Sequence, residues 1–259
     1  MSGEGVTVLT VAYDGTSLHG FARQPGLDTV QGRIEDALET ILRRRALTVG
    51  AGRTDAGVHA LGQIVSFDAQ PDDVDDRALM RSLNAIAGPE VVVAGVRRAH
   101  EGFSARYDAL SREYRYLLVP GPVPPLAIAG RAWWTKGTLD LPAMREAASH
   151  LTGEHDFRSF CVTGSAEGRP TVRNVETIEI GPACELGERC IVVRVVGRSF
   201  LHSMVRILVG TLVQVGKGRR DPEWVDVALA ACERDAAGPT APPHGLTLWH
   251  VGYADDCWL

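Results

Sequence analysis

The sequence predicts an α+β fold with two halves. Segments with the alternation of β-strands and segments with the period of helices interleave along the 259 residues, but not in the strict strand–helix repeat of a doubly wound sheet. The chain is long enough to bury one large core or two smaller ones. We expect the halves to meet near residue 110, which gives domains at residues 1–110 and 111–259.

In the first half, residues 6–13 are apolar and β-branched enough for a buried strand. A helix is predicted next, because apolar residues recur at helical spacing from Val30 to Leu42. Asp28 is its candidate N-cap, with Gln31 three residues on. The pattern then predicts a short strand at 64–67, a helix at about 75–85 and a strand at 91–96.

In the second half, residues 111–119 alternate as a strand, which places Arg112, Tyr114, Tyr116 and Leu118 on one face. A helix is predicted after Asp140, with Pro142 in its first turn. Residues 172–180 and 191–196 are predicted to form a hairpin linked through Gly181-Pro182 and Gly187. Two further helices are predicted, over 200–215 and from Asp221-Pro222-Glu223, followed by a closing strand at 246–253.

The formal net charge of −5, averaged over the chain, counts against a nucleic-acid partner. The arginines are nevertheless clustered, as Arg43-Arg44-Arg45, Arg97-Arg98, Arg112 with Arg115, and Arg219-Arg220. A charge run is most often a solvated face, but clusters that converge would follow a phosphate backbone. Any surface that binds nucleic acid is therefore expected to be local and electrostatic.

Cysteine and histidine spacing gives no sign of a metal site. The five cysteines form no C-x-x-C pair and share no ligand spacing with the eight histidines. The chain also carries no P-loop or dinucleotide fingerprint, so no cofactor is expected. Reduced thiols fit a cytoplasmic protein, and the sequence shows neither a secretory signal nor the roughly 18 apolar residues of a membrane span.

Residues 51–60, AGRTDAGVHA, place a single carboxylate, Asp55, among residues too small to have been selected for packing. Gly52 and Gly57 allow positive φ and close backbone approach. Arg53 and Thr54 supply hydrogen-bond donors toward the carboxylate or a ligand. Such a loop can present a nucleophile or a base. An ordinary tight turn is the alternative, because glycine and aspartate are common turn residues.

Arg206 stands in a predicted helix that is apolar on more than one face, with Met204 and Val205 on different sides. Such a helix is expected to be buried. A buried guanidinium keeps its charge and therefore needs a carboxylate or phosphate partner. We predict that Arg206 pairs with Asp55 and holds that carboxylate ionised. A structural salt bridge or a snorkelling head group is the alternative.

Short motifs follow one another in a fixed order along the chain. They are Tyr13-Asp14-Gly15-Thr16, Gly20-Phe21-Ala22-Arg23-Gln24-Pro25, Thr29-Val30-Gln31, the Asp55 segment, Phe103-Ser104-Ala105-Arg106, Arg112-Glu113-Tyr114-Arg115-Tyr116, His155-Asp156-Phe157-Arg158-Ser159-Phe160, Phe200-Leu201-His202-Ser203-Met204-Val205-Arg206 and Gly245-Leu246. Through these motifs and their order the chain resembles the tRNA pseudouridine synthase A family. The family usually has Trp where Phe21 stands and Gln where Ala22 stands.

The resemblance implies two ferredoxin-like α+β halves that share a mixed, mainly antiparallel sheet with a central active-site cleft. It implies an isomerase that converts uridine to pseudouridine at positions 38, 39 and 40 in the anticodon stem-loop of tRNA. It also implies a homodimer. Substrate and product are isomers, so neither a redox cofactor nor ATP is required.

The same resemblance assigns roles to particular residues. Asp55 matches the catalytic aspartate, as nucleophile at C1′ or base at C2′, and Arg206 the basic residue beside it. Tyr114 matches an active-site tyrosine whose ring stacks on the target base and whose hydroxyl assists proton transfer. Arg53 is expected to hold the phosphate of the flipped nucleotide or fill the gap it leaves, and Leu246 to pack against the site. Tyr116, His59 and His202 receive no catalytic role.

Two other classes of function stay open at this point. One is a non-catalytic RNA-binding protein or RNA chaperone that keeps the fold without the reaction, against which the presence of Asp55, Tyr114 and Arg206 argues. The other is a hydrolase that uses Asp55 with His59, against which the lack of an evident third orienting residue argues.

Overall fold

The structure, a computed structural model that describes residues 5–68 and 74–259, confirms the α+β class. Its strands are β1 (Val6–Tyr13), β2 (Val49–Gly50), β3 (His59–Asp68), β4 (Val91–Ala99), β5 (Ser111–Gly121), β6 (Trp133–Lys136), β7 (Gly153–Asp156), β8 (Val172–Glu185), β9 (Glu188–Gly197) and β10 (Leu246–Gly252). Its helices are α1 (Val30–Leu42), α2 (Asp76–Ala87), α3 (Leu141–His150), α4 (Met204–Gly216) and α5 (Trp224–Ala231).

The chain divides into two compact units, unit 1 (Met1–Ser111 with Leu248–Leu259) and unit 2 (Arg112–Thr247). The sequence led us to assign all of residues 111–259 to the second half, whereas the last twelve residues here belong to unit 1. The cause is pairing of the closing strand: β10 lies beside β3, and Leu110 N donates to Gly252 O at 2.8 Å.

Unit 1 contains a sheet in the order β4-β1-β3-β10, with the short β2 beside β3. β1 runs antiparallel to both of its neighbours. Helices α1 and α2 pack against each other, and α2 also packs against β4. The centre of this unit is formed by fully buried side chains from three elements, Leu9 and Val11 of β1, Ile34 and Leu38 of α1, and Leu79 and Leu83 of α2.

The N-cap of α1 is Thr29, whose Oγ1 accepts from Gly32 N at 3.2 Å. The predicted cap, Asp28, is wrong, because both of its carboxylate oxygens accept hydrogen bonds from Arg33, at 2.8 and 2.6 Å. The bonds from this guanidinium lower the pKa of the Asp28 carboxyl. The Asp28 carboxylate therefore forms an ion pair with Arg33 instead of capping α1.

Unit 2 contains β5, β9, β8 and β7 in that order, each antiparallel to the next, with β6 parallel to β5. Helix α3 packs against α4, α5 and β8. As predicted, Asp140 caps α3, because its Oδ1 accepts from Ala143 N at 3.0 Å. All thirteen residues of α4 are buried except Arg206 and Gln214, which confirms that a helix apolar on every side lies in the core.

The hairpin of unit 2 turns later than predicted. The turn is at Leu186-Gly187, with φ of 49° and 83°, and β8 passes straight through Gly181-Pro182, which pair with Val192 and Ile191. A proline is tolerated there because β7 pairs only with residues 172–175 of β8. Beyond those residues the second side of β8 is an edge within the described chain.

Two helices also begin later than predicted, and three strands were missed. Helix α4 starts at Met204 rather than 200, because Ser203 has a left-handed φ of 56° that a continuing helix cannot accommodate. Helix α5 starts at Trp224, and Asp221 instead closes a turn by accepting from Trp224 N at 3.1 Å. Strands β2, β6 and β7 span two to four residues, which is too short for a period to be read.

Candidate active site

Asp55 lies in unit 1, in the loop of residues 51–58 that joins β2 to β3, which we name the Asp55 loop. Exposure varies from residue to residue along it. Ala51, Thr54 and Val58 are buried, Arg53 and Ala56 are exposed, and Asp55 is half-buried. The loop is thus anchored by three side chains, while its carboxylate has neither a core position nor full contact with solvent.

The main chain before Asp55 is held by the side-chain amide of Gln63, which is fully buried on β3. Gln63 Nε2 donates to Gly52 O at 2.8 Å, and Gly52 N donates to Gln63 Oε1 at 3.3 Å. One amide therefore satisfies both polar groups of Gly52. Sequence reasoning missed this role, because the predicted strand began at residue 64 and nothing in the pattern indicates that Gln63 is buried.

Thr54 is anchored on both its side chain and its main chain. Its Oγ1 lies 2.8 Å from the hydroxyl of Tyr13 on β1, and its carbonyl oxygen accepts from Phe21 N at 3.1 Å. Either hydroxyl can be the donor in the bond between Thr54 and Tyr13, so the donation of Thr54 toward Asp55 or a ligand stays a prediction. Arg53, by contrast, is exposed on the loop, where its guanidinium is accessible to a ligand.

Residues 15–20 approach the Asp55 loop backbone to backbone. Gly20 has a φ of 91°, and a Cβ on it would stand 2.9 Å from Thr54 O and 3.3 Å from Ala56 N. Gly57, with a φ of 80°, closes the other side of the loop, where Val58 N donates to Asp55 O at 3.2 Å. The carboxylate is therefore carried by a main chain with little freedom to move.

His59 has a structural position. Its ring is 1 % exposed, its Nδ1 accepts from Gly15 N at 3.1 Å, and the same nitrogen lies 3.2 Å from Asp14 Oδ1. The ring thereby ties β3 to the segment at residues 14–15. A buried imidazole held in this way is a poor base for a water molecule, which argues against the hydrolase that pairs Asp55 with His59.

Tyr114 and Tyr116 lie on the same buried face of β5, as predicted, in different surroundings. Tyr114 packs edge-on against Phe200, with ring centroids 5.4 Å apart and an interplanar angle of 87°. Tyr116 is fully buried, its hydroxyl donates to Pro242 O at 2.8 Å, and its ring fills the space beside Gly245. Burial raises the pKa of Tyr116 well above the usual tyrosine range. These contacts support a packing role for Tyr116.

Arg206 is in the first turn of α4 and is half-buried, whereas its neighbours Met204 and Val205 are buried. It exchanges two hydrogen bonds with Ala241: Arg206 Nε donates to Ala241 O at 2.8 Å, and Ala241 N donates to Arg206 O at 3.1 Å. Its positive charge opposes the rise in the pKa of Tyr116. The side chain is thus oriented by the backbone of the segment before β10, and its pairing with Asp55 stays a prediction.

The arginine clusters do not all serve one purpose. Arg112 and Arg115 are on opposite faces of β5, so they do not form the joint cluster that their spacing indicated. Arg112 is buried and donates to Arg198 O. Arg115 and Arg194 both bind Glu113; burial alone would raise the pKa of this carboxyl, but the two guanidinium hydrogen bonds outweigh burial and lower it.

The other three clusters also differ. Arg97 lies over the ring of Trp258 at 5.5 Å, and Arg98 binds Asp76 and Thr7. Arg43 to Arg45 and Arg219 to Arg220 are exposed.

Leu246, the remaining predicted site residue, is buried at the start of β10. Across residues 5–68 and 74–259, no group of three His, Cys, Asp or Glu side chains is arranged to hold a metal ion, and no helix is long and apolar enough to cross a membrane.

Comparison with known proteins shows that the chain is similar to tRNA pseudouridine synthases. A family model described as tRNA pseudouridine synthase matches residues 147–254. A tRNA pseudouridine synthase A from Pseudothermotoga lettingae is 44% identical over 243 residues, covering 94% of this chain and 97% of the relative. Those from Frankia casuarinae and Geobacter sulfurreducens are 45% and 41% identical, covering 96% and 95% of this chain and 89% and 98% of the relatives.

The close approach at Gly20 predicts a specific loss on substitution. Gly20→Ala and Gly26→Ala both place an L-residue at positive φ, at 91° and 72°, and each should lose about 1–2 kcal/mol for that reason. Only Gly20→Ala also presses on the Asp55 loop, because no heavy atom lies within 4 Å of a Cβ at Gly26. We expect Gly20→Ala to lower the free energy of unfolding by about 1 kcal/mol or more beyond Gly26→Ala.

Urea denaturation measures the difference, and amide hydrogen exchange at Phe21, which donates to Thr54 O, reports the loop itself. Exchange at Phe21 should accelerate in Gly20→Ala alone. Equal stability losses with unchanged exchange in both variants would show that the close approach does not constrain the loop.

Proposed function

The chain belongs to the tRNA pseudouridine synthase A family, and we propose that it isomerises uridine to pseudouridine at positions 38, 39 and 40 in the anticodon stem-loop of tRNA. The observation that carries this proposal is Asp55, a half-exposed carboxylate on a loop whose main chain is fixed on both sides. Relatives with this family name match the chain over more than nine-tenths of its length.

The reaction defines what the site must do. The N1–C1′ glycosidic bond breaks, the uracil turns, and a C5–C1′ bond forms; C5 loses a proton and N1 gains one, so atoms and electrons balance without a co-reactant. A base within a stem is inaccessible, so the nucleotide must be flipped into the site at a cost of a few kcal/mol in stacking and pairing. Fixed catalytic groups add no further ordering cost to this step.

Asp55 acts at the ribose of the flipped uridine, as nucleophile at C1′ or as base at C2′. Both roles need an ionised carboxylate held at a defined distance from the sugar. The bonds of Gln63 to Gly52 and of Phe21 to Thr54 support either role equally, because they position the loop without selecting the atom attacked.

The other site residues act around that carboxylate. We assign Arg206 to keeping Asp55 ionised and aimed, supported by the way Ala241 orients its side chain. Tyr114 stacks on the uracil and its hydroxyl assists transfer of the C5 proton. Arg53, exposed beside Asp55, binds the phosphate of the flipped nucleotide or fills the gap it leaves, and Leu246 packs against the site.

A non-catalytic RNA-binding protein is the competing function. Such a protein would have no need for a carboxylate held as Asp55 is held. The arrangement of Gln63, Tyr13 and Gly20 around the loop therefore favours an enzyme over a binding module.

Asp55→Asn should abolish pseudouridine formation while tRNA binding persists. The substitution keeps the shape of the side chain but removes its charge, and acid–base or nucleophilic roles are worth roughly 10²- to 10⁴-fold in rate or more. Affinity should change little, because contacts between arginines and phosphates supply most of it. Single-turnover formation, detected by carbodiimide-dependent reverse-transcription stops, and filter binding are the measurements.

Asp68→Asn is the matched control, since it removes the same charge from an exposed position at the end of β3. It should modify tRNA at the normal rate. Robust modification by Asp55→Asn would reject the mechanism, and failure of Asp55→Asn to bind tRNA would give Asp55 a structural role instead.

Substitutions at Tyr114 separate stacking from proton transfer. If the hydroxyl moves the C5 proton, Tyr114→Phe should stall after glycosidic cleavage although its ring still packs against Phe200. If the ring mainly stacks, Tyr114→Phe should retain most of the rate and Tyr114→Ala should lose it. We expect the first result. Tyr116→Phe is the control: it loses only the bond to Pro242 and should affect stability by about 1 kcal/mol rather than turnover.

We also propose a cytoplasmic homodimer. The family resemblance supports the dimer, and the five free cysteines support a reducing compartment. Sedimentation equilibrium at micromolar protein should return twice the mass of the chain. A monomer mass at that concentration would contradict the dimer.

A further inference from the structure

Unit 2 contains a pocket of about 560 Å³ whose lining residues have no role in the proposed function. Trp134, Lys136, Gly137 and Thr138 line it from the end of β6, and Lys217 and Arg219 line it from the end of α4. We call it the basic pocket, because three of its six lining residues are cations and none is acidic.

The positive charge of the basic pocket is not neutralised by the protein. Within the described residues, Lys136, Lys217 and Arg219 form no ion pair, and Arg219 donates only to the neutral Gln214, at 3.3 Å. Two acids are near the lining residues in sequence: Asp140 uses its carboxylate to cap α3, and Asp221 forms no ion pair with Lys217 or Arg219. Burial and the charge of Arg219 lower the pKa of Lys217, as expected for cations gathered without an anion.

Helix capping accounts for only part of this arrangement. Cations after the last turn of α4 interact favourably with the negative end of its dipole, which suits Lys217 and Arg219. Lys136 comes from a different element, and its position is fixed separately. Its Nζ lies 5.1 Å from the ring centroid of Trp134, and the indole is held by a hydrogen bond from Nε1 to Gly121 O at 3.0 Å.

We propose that the basic pocket binds phosphates of the tRNA backbone, through Lys136, Lys217 and Arg219, as a contact additional to that of the flipped nucleotide. The proposal rests on tRNA being the substrate. Phosphodiester oxygens are the ligand because three unpaired cations on the rim of an open pocket match a chain of singly charged anions. Such a local concentration of charge also reconciles RNA binding with the net charge of −5.

Helix α4 sets the spacing of this contact. Arg206 lies in its first turn and Lys217 at its C-terminal end, eleven residues apart in sequence, and a rise of 1.5 Å per residue separates them by roughly 16 Å. That distance is longer than a single nucleotide of an RNA strand. The basic pocket therefore contacts a part of the RNA outside the nucleotide near Arg206.

The test compares two double variants that each remove two positive charges from exposed positions of unit 2. Lys136→Ala/Arg219→Ala removes two cations of the basic pocket; Arg169→Ala/Arg189→Ala, in the loop before β8 and at the start of β9, is the control. Filter binding of tRNA is measured over a range of salt concentrations. We expect the first variant to bind roughly tenfold more weakly and its log–log salt slope to fall by about 1–2, as for the loss of two phosphate contacts.

The control should keep both the affinity and the slope of the unaltered protein. An unchanged slope in Lys136→Ala/Arg219→Ala, or an equal decrease in both variants, would overturn the proposal. Pseudouridine formation by the unaltered protein is assayed in parallel, which separates the two hypotheses. If that protein binds tRNA but forms no pseudouridine, the proposed function fails, and the salt slopes still decide whether the pocket binds RNA.

Discussion

The candidate site depends on how the main chain on either side of Asp55 is held. Gln63 binds both polar groups of Gly52, Tyr13 binds the hydroxyl of Thr54, and Phe21 binds its carbonyl. These partners come from β1, β3 and the segment between β1 and α1, so the sheet of unit 1 must form before the loop has a defined shape. In the proposed reaction, a carboxylate fixed in this way would need little reorganisation, and such preorganisation is a principal source of catalytic rate in enzymes.

In unit 2, backbone contacts also hold aromatic and basic side chains in place. The segment at 239–245 lies between α4 and β5: its backbone meets Gly210, exchanges bonds with Arg206 and accepts one from Tyr116. Tyr116 is thereby fixed as part of the core. Tyr114, two residues earlier on the same face, packs against Phe200 instead, so two tyrosines with the same sequence pattern make different contacts.

Much of the fold could be predicted because long elements carry their own periodic signals. The positions of β1, α2, β4 and α3 and the burial of α4 followed from pattern alone. Errors arose where a tertiary contact outweighed the local signal: Arg33 binds Asp28 and leaves Thr29 as the cap, and β8 continues through Pro182 because its outer side is unpaired there. Within the site, Asp55 was identifiable, but Gln63 was not, since an amide that binds a backbone group eleven residues away has no sequence signature.

Because the Asp55 loop is held through its backbone and through Thr54, the side chains at 53 and 56 contribute little to holding its conformation. Arg53 and Ala56 are exposed on either side of the carboxylate, and neither contributes to the anchoring bonds described for Gly52 and Thr54. Evolution can therefore alter the surface next to Asp55 without displacing Asp55 itself. Under the proposed function, such a loop could change which nucleotide context it accepts while keeping one chemistry, since Arg53 and Asp55 are adjacent but separately supported residues.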